Sequence, residues 1–328
     1  MSLKLVVVCH VEPGIARDGE IVYGFDRPEG IVGSLPRILE LADRSGVPMG
    51  FALTPQALTL ADADFAGHEA GVHLHPMDPV LGERVRDRVR VRHDCLGRYS
   101  PEEQATLVHA AREIFEERMG RAPRLFVAGR WSEDSATAAV LLKEGFTHDA
   151  SALPGHRSHC ADWGRLPRLA QPYHPAAEDR QRRGSQPLLY IPVFQSLWED
   201  YMTPERIRAL GSSSFRAALK EAQVGGSDVI HFFFHSPLGL DGEAMGAFAD
   251  LLAYAHDVIG ATPALPHSLA PSASFVSRPF PPAYLAGLNW RLVKNLLART
   301  GWARQGMGPR TAPTSFQEPD PGEGGLPP

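Results

Sequence analysis

The chain has 328 residues, 43% of them hydrophobic, and 33 basic against 38 acidic side chains give a net charge of −5. That length supports a large buried core, in two domains of roughly 150 residues or in one α/β barrel of about 250 residues with extensions. The charge offers no footprint for nucleic acid or an anionic membrane, and no apolar run approaches the ~18 residues of a spanning helix.

The first strand is expected at Leu5–Val8, and its apolar stretch breaks at Cys9-His10-Val11-Glu12 without a small-residue cleavage site. A secretory leader is not expected, and the location is read as cytoplasmic. Ser34 should cap a helix over Leu35–Ala42, with Pro36 in its first turn. Strands follow at Val47–Leu53 and Glu69–His73. Ser100-Pro101-Glu102-Glu103 spells a capping box, opening a helix that should run to Met119 and stop at Gly120. Further strands are expected at Leu125–Val127, Phe146–Asp149, Leu188–Val193 and Val229–Phe234, with helices over Ser132–Lys143, Pro204–Ala222 and Gly242–Ile259. Seven strands alternating with helices predict a mainly parallel sheet.

Three segments fall outside that rhythm. Ala150–Pro187 has no periodicity and exceeds the length of a connecting loop; it is either a lid or an insertion. Residues 263–307 form an extension whose apolar stripe over Pro281–Arg299 predicts a docked helix, and the Gly- and Pro-rich stretch Gly308–Pro328 predicts a disordered tail. The three cysteines, Cys9, Cys95 and Cys160, are sparse and lack metal-type spacing, so no disulfide framework is expected.

In parallel α/β folds, chemistry gathers at the carboxyl ends of strands. Here those ends read His10-Val11-Glu12, His73-Leu74-His75-Pro76, Ala128-Gly129-Arg130-Trp131, His148-Asp149 and His235-Ser236-Pro237. Residues two apart on a strand share a face, so His10 with Glu12, and His73 with His75, can each aim at one point. Two imidazoles and a carboxylate suit a divalent transition metal: zinc first, with iron, cobalt, nickel or manganese as alternatives.

The order of these motifs, with Gly67-His68-Glu69-Ala70-Gly71-Val72-His73-Leu74-His75-Pro76 as their most specific piece, resembles polysaccharide deacetylases with NodB homology. The nearest pattern is the bacterial subgroup whose motifs read D-V-E, H-L-H-P and F-R-A-G-R. The resemblance spans about residues 4–260. It implies a distorted (β/α)7-type barrel over residues 1–262, a divalent metal, and hydrolysis of an N-acetyl or related amide. It further implies that Glu12, His73 and His75 hold the metal, that Glu12 or His10 is the base, with His10 otherwise a ligand, and that His235 is the general acid. Arg130 would stabilise an oxyanion or a substrate carboxylate, and Asp149 would orient His235 or Arg130. Three departures stand out: His10 occupies the place of the family's first acid, Val127 that of an arginine, and the metal histidines are spaced H-x-H rather than the commoner H-x-x-x-H, with Met77 at the fourth place. The partner expected is a saccharide or other small molecule. A barrel altered into a binding module, or another metal-dependent hydrolase or lyase, is the alternative reading.

Overall fold

The computed structural model describes residues 2–17, 20–196 and 202–277. Its strands are β1 (Lys4–Val11), β2 (Gly14–Arg17), β3 (Glu20–Tyr23), β4 (Gly50–Leu53), β5 (Glu69–Leu74), β6 (Leu125–Ala128), β7 (His148–Asp149), β8 (Leu189–Tyr190), β9 (Val229–His235) and β10 (Thr262–Pro263). All seven expected strands are present. They lie parallel in the order β9-β1-β4-β5-β6-β7-β8, with β10 beside the start of β1. The chain after β8 returns to β9 through one backbone bond, Phe194 N to His231 O at 2.9 Å, and His231 Nδ1 donates to Ile191 O at 3.0 Å. The architecture is thus an α/β barrel, distorted at one seam.

Strand alternation sorts two cores. Leu5, Val7, Cys9 and Val11 of β1 face the surrounding helices, whereas Val6 and Val8 face inward and pack with Ala52, Leu125, Val127 and Ile191. Period two then carries the inner face upward from Val8 to His10 and Glu12. Gly71 on β5 is required by close approach, because a Cβ there would lie 2.5 Å from the carbonyl oxygen of Leu125.

The helices form much as their end signals dictate. Pro101–Met119 carries the full capping box between Ser100 and Glu103, and Gly120 ends it in the left-handed region at φ 65°. Asp134 caps Ser135–Lys143, three residues later than expected, and Gly211 (φ 77°) splits the Pro204–Ala222 region before Ser212–Val224. Ser34 does not cap Leu35–Ser45. Its own backbone is already helical, and its hydroxyl donates instead to the carbonyl of Glu29 at 3.4 Å.

Residues 150–187 contain little regular structure but are packed: Trp163 and Tyr173 are fully buried, and Trp163 Nε1 donates to the carbonyl of Trp131 at 3.0 Å. The cysteine expectation is overturned. Cys95 and Cys160 form a disulfide across 65 residues, and only Cys9 is a free thiol. Sequence spacing could not reveal a pair brought together only when residues 150–187 fold back beside the loop before Tyr99. No described helix is long and apolar enough to cross a membrane. The helix expected over 281–299 and the tail expected over 308–328 lie outside the described residues.

Candidate metal centre

Three strands deliver the site. Glu12 follows β1, His73 lies in β5 with His75 just beyond it, and His235 ends β9. Glu12 Oε2 lies 3.3 Å from His73 Nε2 and 3.1 Å from His75 Nε2, and the two Nε2 atoms are 3.1 Å apart. Glu12 and His73 are buried, His75 nearly so. The close approach of His75 depends on Gly129, where a Cβ would fall 2.6 Å from the His75 ring.

The far side of each imidazole is fixed. His73 Nδ1 donates to the carbonyl of Val127 at 3.2 Å, and His75 Nδ1 to Asp94 Oδ2 at 2.7 Å. Both Nε2 atoms therefore turn toward Glu12. Asp94 also accepts from Met77 N at 3.2 Å and from Arg130 Nε at 3.0 Å. Glu12 is itself anchored: its backbone N–H donates to Ser236 Oγ and its carbonyl accepts from the same hydroxyl, both at 3.1 Å.

The electrostatics follow from this packing. Burial opposes the Glu12 carboxylate, but His235, His73 and His75 together hold its pKa well below the usual range. Burial lowers His73, outweighing its bond to Glu12. Burial also opposes charge on His75, yet Asp94 and Glu12 raise it to about 10. One carboxylate oxygen and two Nε2 atoms thus converge, and a cation bound here would displace the proton that His75 holds. A divalent cation fits this donor set. Nitrogen and oxygen ligands of tetrahedral zinc stand about 3.3 Å apart, matching the three separations found here.

His235 flanks the centre, its Nε2 3.6 Å from Glu12 Oε1. Its Nδ1 lies 2.7 Å from Glu205 Oε1 and 2.9 Å from the Tyr23 hydroxyl, and its backbone N–H donates to Glu205 at 2.6 Å. Burial is outweighed by Glu205 and Glu12, so the pKa of His235 is raised. His10 sits between His73 and His235, with ring centroids 4.7 and 5.1 Å away, and stacks on Phe233. It stands outside the three-donor group. Its Nε2 is buried without a hydrogen-bond partner, and burial, with the neighbouring imidazoles, holds its pKa well below 6.5.

The remaining expected residues are placed as follows. Arg130 lies at the rim, 3.0 Å from Asp94, in an unusual backbone: Arg130 and Trp131 have φ of 55° and 58°. Asp149 belongs to a separate buried group. Its Oδ1 accepts from Ser151 N at 2.7 Å, and Glu133, which receives the Tyr190 hydroxyl at 2.9 Å, is its acidic neighbour. Burial and that neighbour raise its pKa, and burial raises that of Glu133. Sequence reasoning missed Asp94, Glu205, Tyr23 and Ser236. Only Ser236 carried a signal, as the neighbour of a strand-end histidine.

No family model matches the chain, and no curated protein matches it. Solved structures do. A candidate polysaccharide deacetylase from Mycobacterium smegmatis superposes with a TM-score of 0.52 at 17% identity, over 85% of this chain and 95% of that one. A second candidate polysaccharide deacetylase, from Pseudomonas aeruginosa PAO1, gives 0.51 at 17% identity, over 80% and 88%. An allantoinase gives 0.51 at 17% identity, over 80% and 87%. At these identities the likeness establishes the fold.

Proposed function

We propose that this chain is a metal-dependent hydrolase that removes an acetyl or related acyl group from the amide nitrogen of a sugar or sugar-like small molecule. The observation that carries the reading is the meeting of Glu12, His73 and His75 within 3.3 Å at the barrel mouth, with His235 beside them. The names borne by the structural neighbours support it.

A divalent cation held by Glu12, His73 and His75 would supply Lewis acidity toward water and an acyl oxygen. His10, kept neutral, takes the proton of the attacking water. His235, kept charged by Glu205, gives a proton to the departing nitrogen as the carbon–nitrogen bond breaks. Asp94 fixes the His75 ring, and Arg130 braces Asp94 from the rim. A second reading, a barrel that binds without turnover, is favoured by one observation: burial and the neighbouring imidazoles hold the His10 pKa well below 6.5, which weakens it as a base.

Elemental analysis separates these readings. Protein purified without chelator should carry about one equivalent of zinc, cobalt, nickel, manganese or iron, and release acid from at least one N-acylated monosaccharide or conjugate. Metal-free protein that shows no thermal shift with any of these ions excludes the hydrolase. Metal-loaded protein that binds sugars without turnover favours the binding module.

A further inference from the structure

A second group of metal-type side chains converges beside the Asp94 loop, where two segments distant in sequence meet. Cys95 and Cys160 are both buried, and His159 Nε2 lies 3.4 Å from Cys160 Sγ. The three ligand atoms fall within 4.8 Å of one another. The two sulfurs are joined as a disulfide. The backbone at this junction is held independently of that bond. Cys95 N donates to His93 Nδ1 at 3.4 Å and Cys160 N to Ser158 Oγ at 3.3 Å. Ser132 Oγ donates to the carbonyl of Cys160 at 2.9 Å and accepts from Gly97 N at 3.2 Å, while Arg98 donates to the carbonyl of His159. Breaking the sulfur–sulfur bond therefore leaves both side chains facing each other.

We infer that Cys95, Cys160 and His159 form a second metal site in the reduced protein, one that takes a zinc-like cation. Two thiolates and an imidazole are a zinc ligand set that leaves one position open. Two thiolate charges neutralise the dication, so the group stays uncharged overall where burial penalises charge. Tetrahedral zinc places its sulfurs about 3.8 Å apart, within reach of side-chain rotation from Cα atoms 5.1 Å apart. His159 is exposed, while both cysteines are buried. The chemistry balances: a dithiol reductant gives two electrons and two protons to the sulfur–sulfur bond and closes to its own disulfide. The cation then displaces the two thiol protons to solvent. The cross-link between the Asp94 loop and residues 150–187 thus persists in either redox state, first as a disulfide and then as a metal–thiolate bridge. The inference is independent of the catalytic reading, because no thiol contributes to the Glu12, His73, His75 group.

Cobalt distinguishes the two centres, since only thiolate ligands give a thiolate-to-cobalt charge-transfer absorption. The full chain, reduced with a dithiol that is then removed under argon, should develop that band on cobalt addition and take up one zinc equivalent more than the oxidised chain. The oxidised chain and Cys160→Ser should lack the band. His159→Ala should retain it but lower cobalt affinity by at least the ~10-fold typical of losing an outer-shell partner. No band in the reduced parent overturns the site, and so does a full-strength band in either Cys95→Ser or Cys160→Ser. If either serine variant misfolds, the reduced and oxidised parent together with His159→Ala decide the question.

Discussion

His10 is where sequence and geometry bear most directly on each other. It shares a strand face with Glu12, yet Glu12 meets His73 and His75 while His10 stacks against Phe233. If His10 is the base, His10→Ala should keep its metal and lose roughly 10²–10⁴-fold in turnover. His10→Asp should preserve or raise activity. Turnover that appears only in His10→Asp would make the parent a binding module. Asp94 acts one shell out. Asp94→Asn leaves the shape but removes the charge that holds His75, so metal affinity should fall ~10–100-fold. A competition titration against a chromogenic chelator would read this, and an unchanged affinity would remove Asp94 from the centre. Asp94 and Glu205 were illegible in the sequence for a common reason. Asp94 sits in an irregular loop and Glu205 in a single 3-10 turn, and each reaches its histidine only in the fold, whereas His73 and His75 declare a shared face through period two.

At the scale of elements, the strands were legible because their apolar runs are short and bounded, and their parallel order followed from the intervening helices. Boundaries moved where a side chain found another partner. Asp134 takes two backbone N–H groups and starts its helix late; Ser34 spends its hydroxyl on Glu29. The turn after β6 is the element on which the site leans hardest. It places Gly129 against the His75 ring and holds two successive residues in the left-handed region, a conformation that costs about 1–3 kcal/mol for each residue lacking glycine's freedom. Gly129→Ala should displace His75 and weaken metal binding while leaving the strands folded. Circular dichroism and metal stoichiometry measured together would test this, and full metal occupancy would show that the ring has room to retreat.

For the whole molecule, the barrel's seam makes acid sensitivity a property of the fold. His231 crosses that seam to the carbonyl of Ile191, and burial outweighs this bond to lower its pKa to about 4. Burial, with Arg124 and His267, lowers His148 to about 4 as well. Both are neutral when folded, and in the unfolded chain both protonate near 6.5. Their contribution is fully present above that value and is lost as pH falls toward about 4, on the order of 3 kcal/mol for the fully buried His231. Melting temperature measured with chelator present should drop between about pH 6.5 and 4. His231→Asn, whose amide can still donate to Ile191, should flatten the drop; superimposable curves would place the sensitivity elsewhere. The apolar plug below the site has a consequence of another kind. Val6, Val8, Leu125, Val127 and Ile191 are all fully buried and fill the interior beneath His10 and Glu12. The site is therefore a cul-de-sac. Whatever reaches Glu12, His73 and His75 must come and go on the side of the strands' carboxyl ends, because the side below is filled.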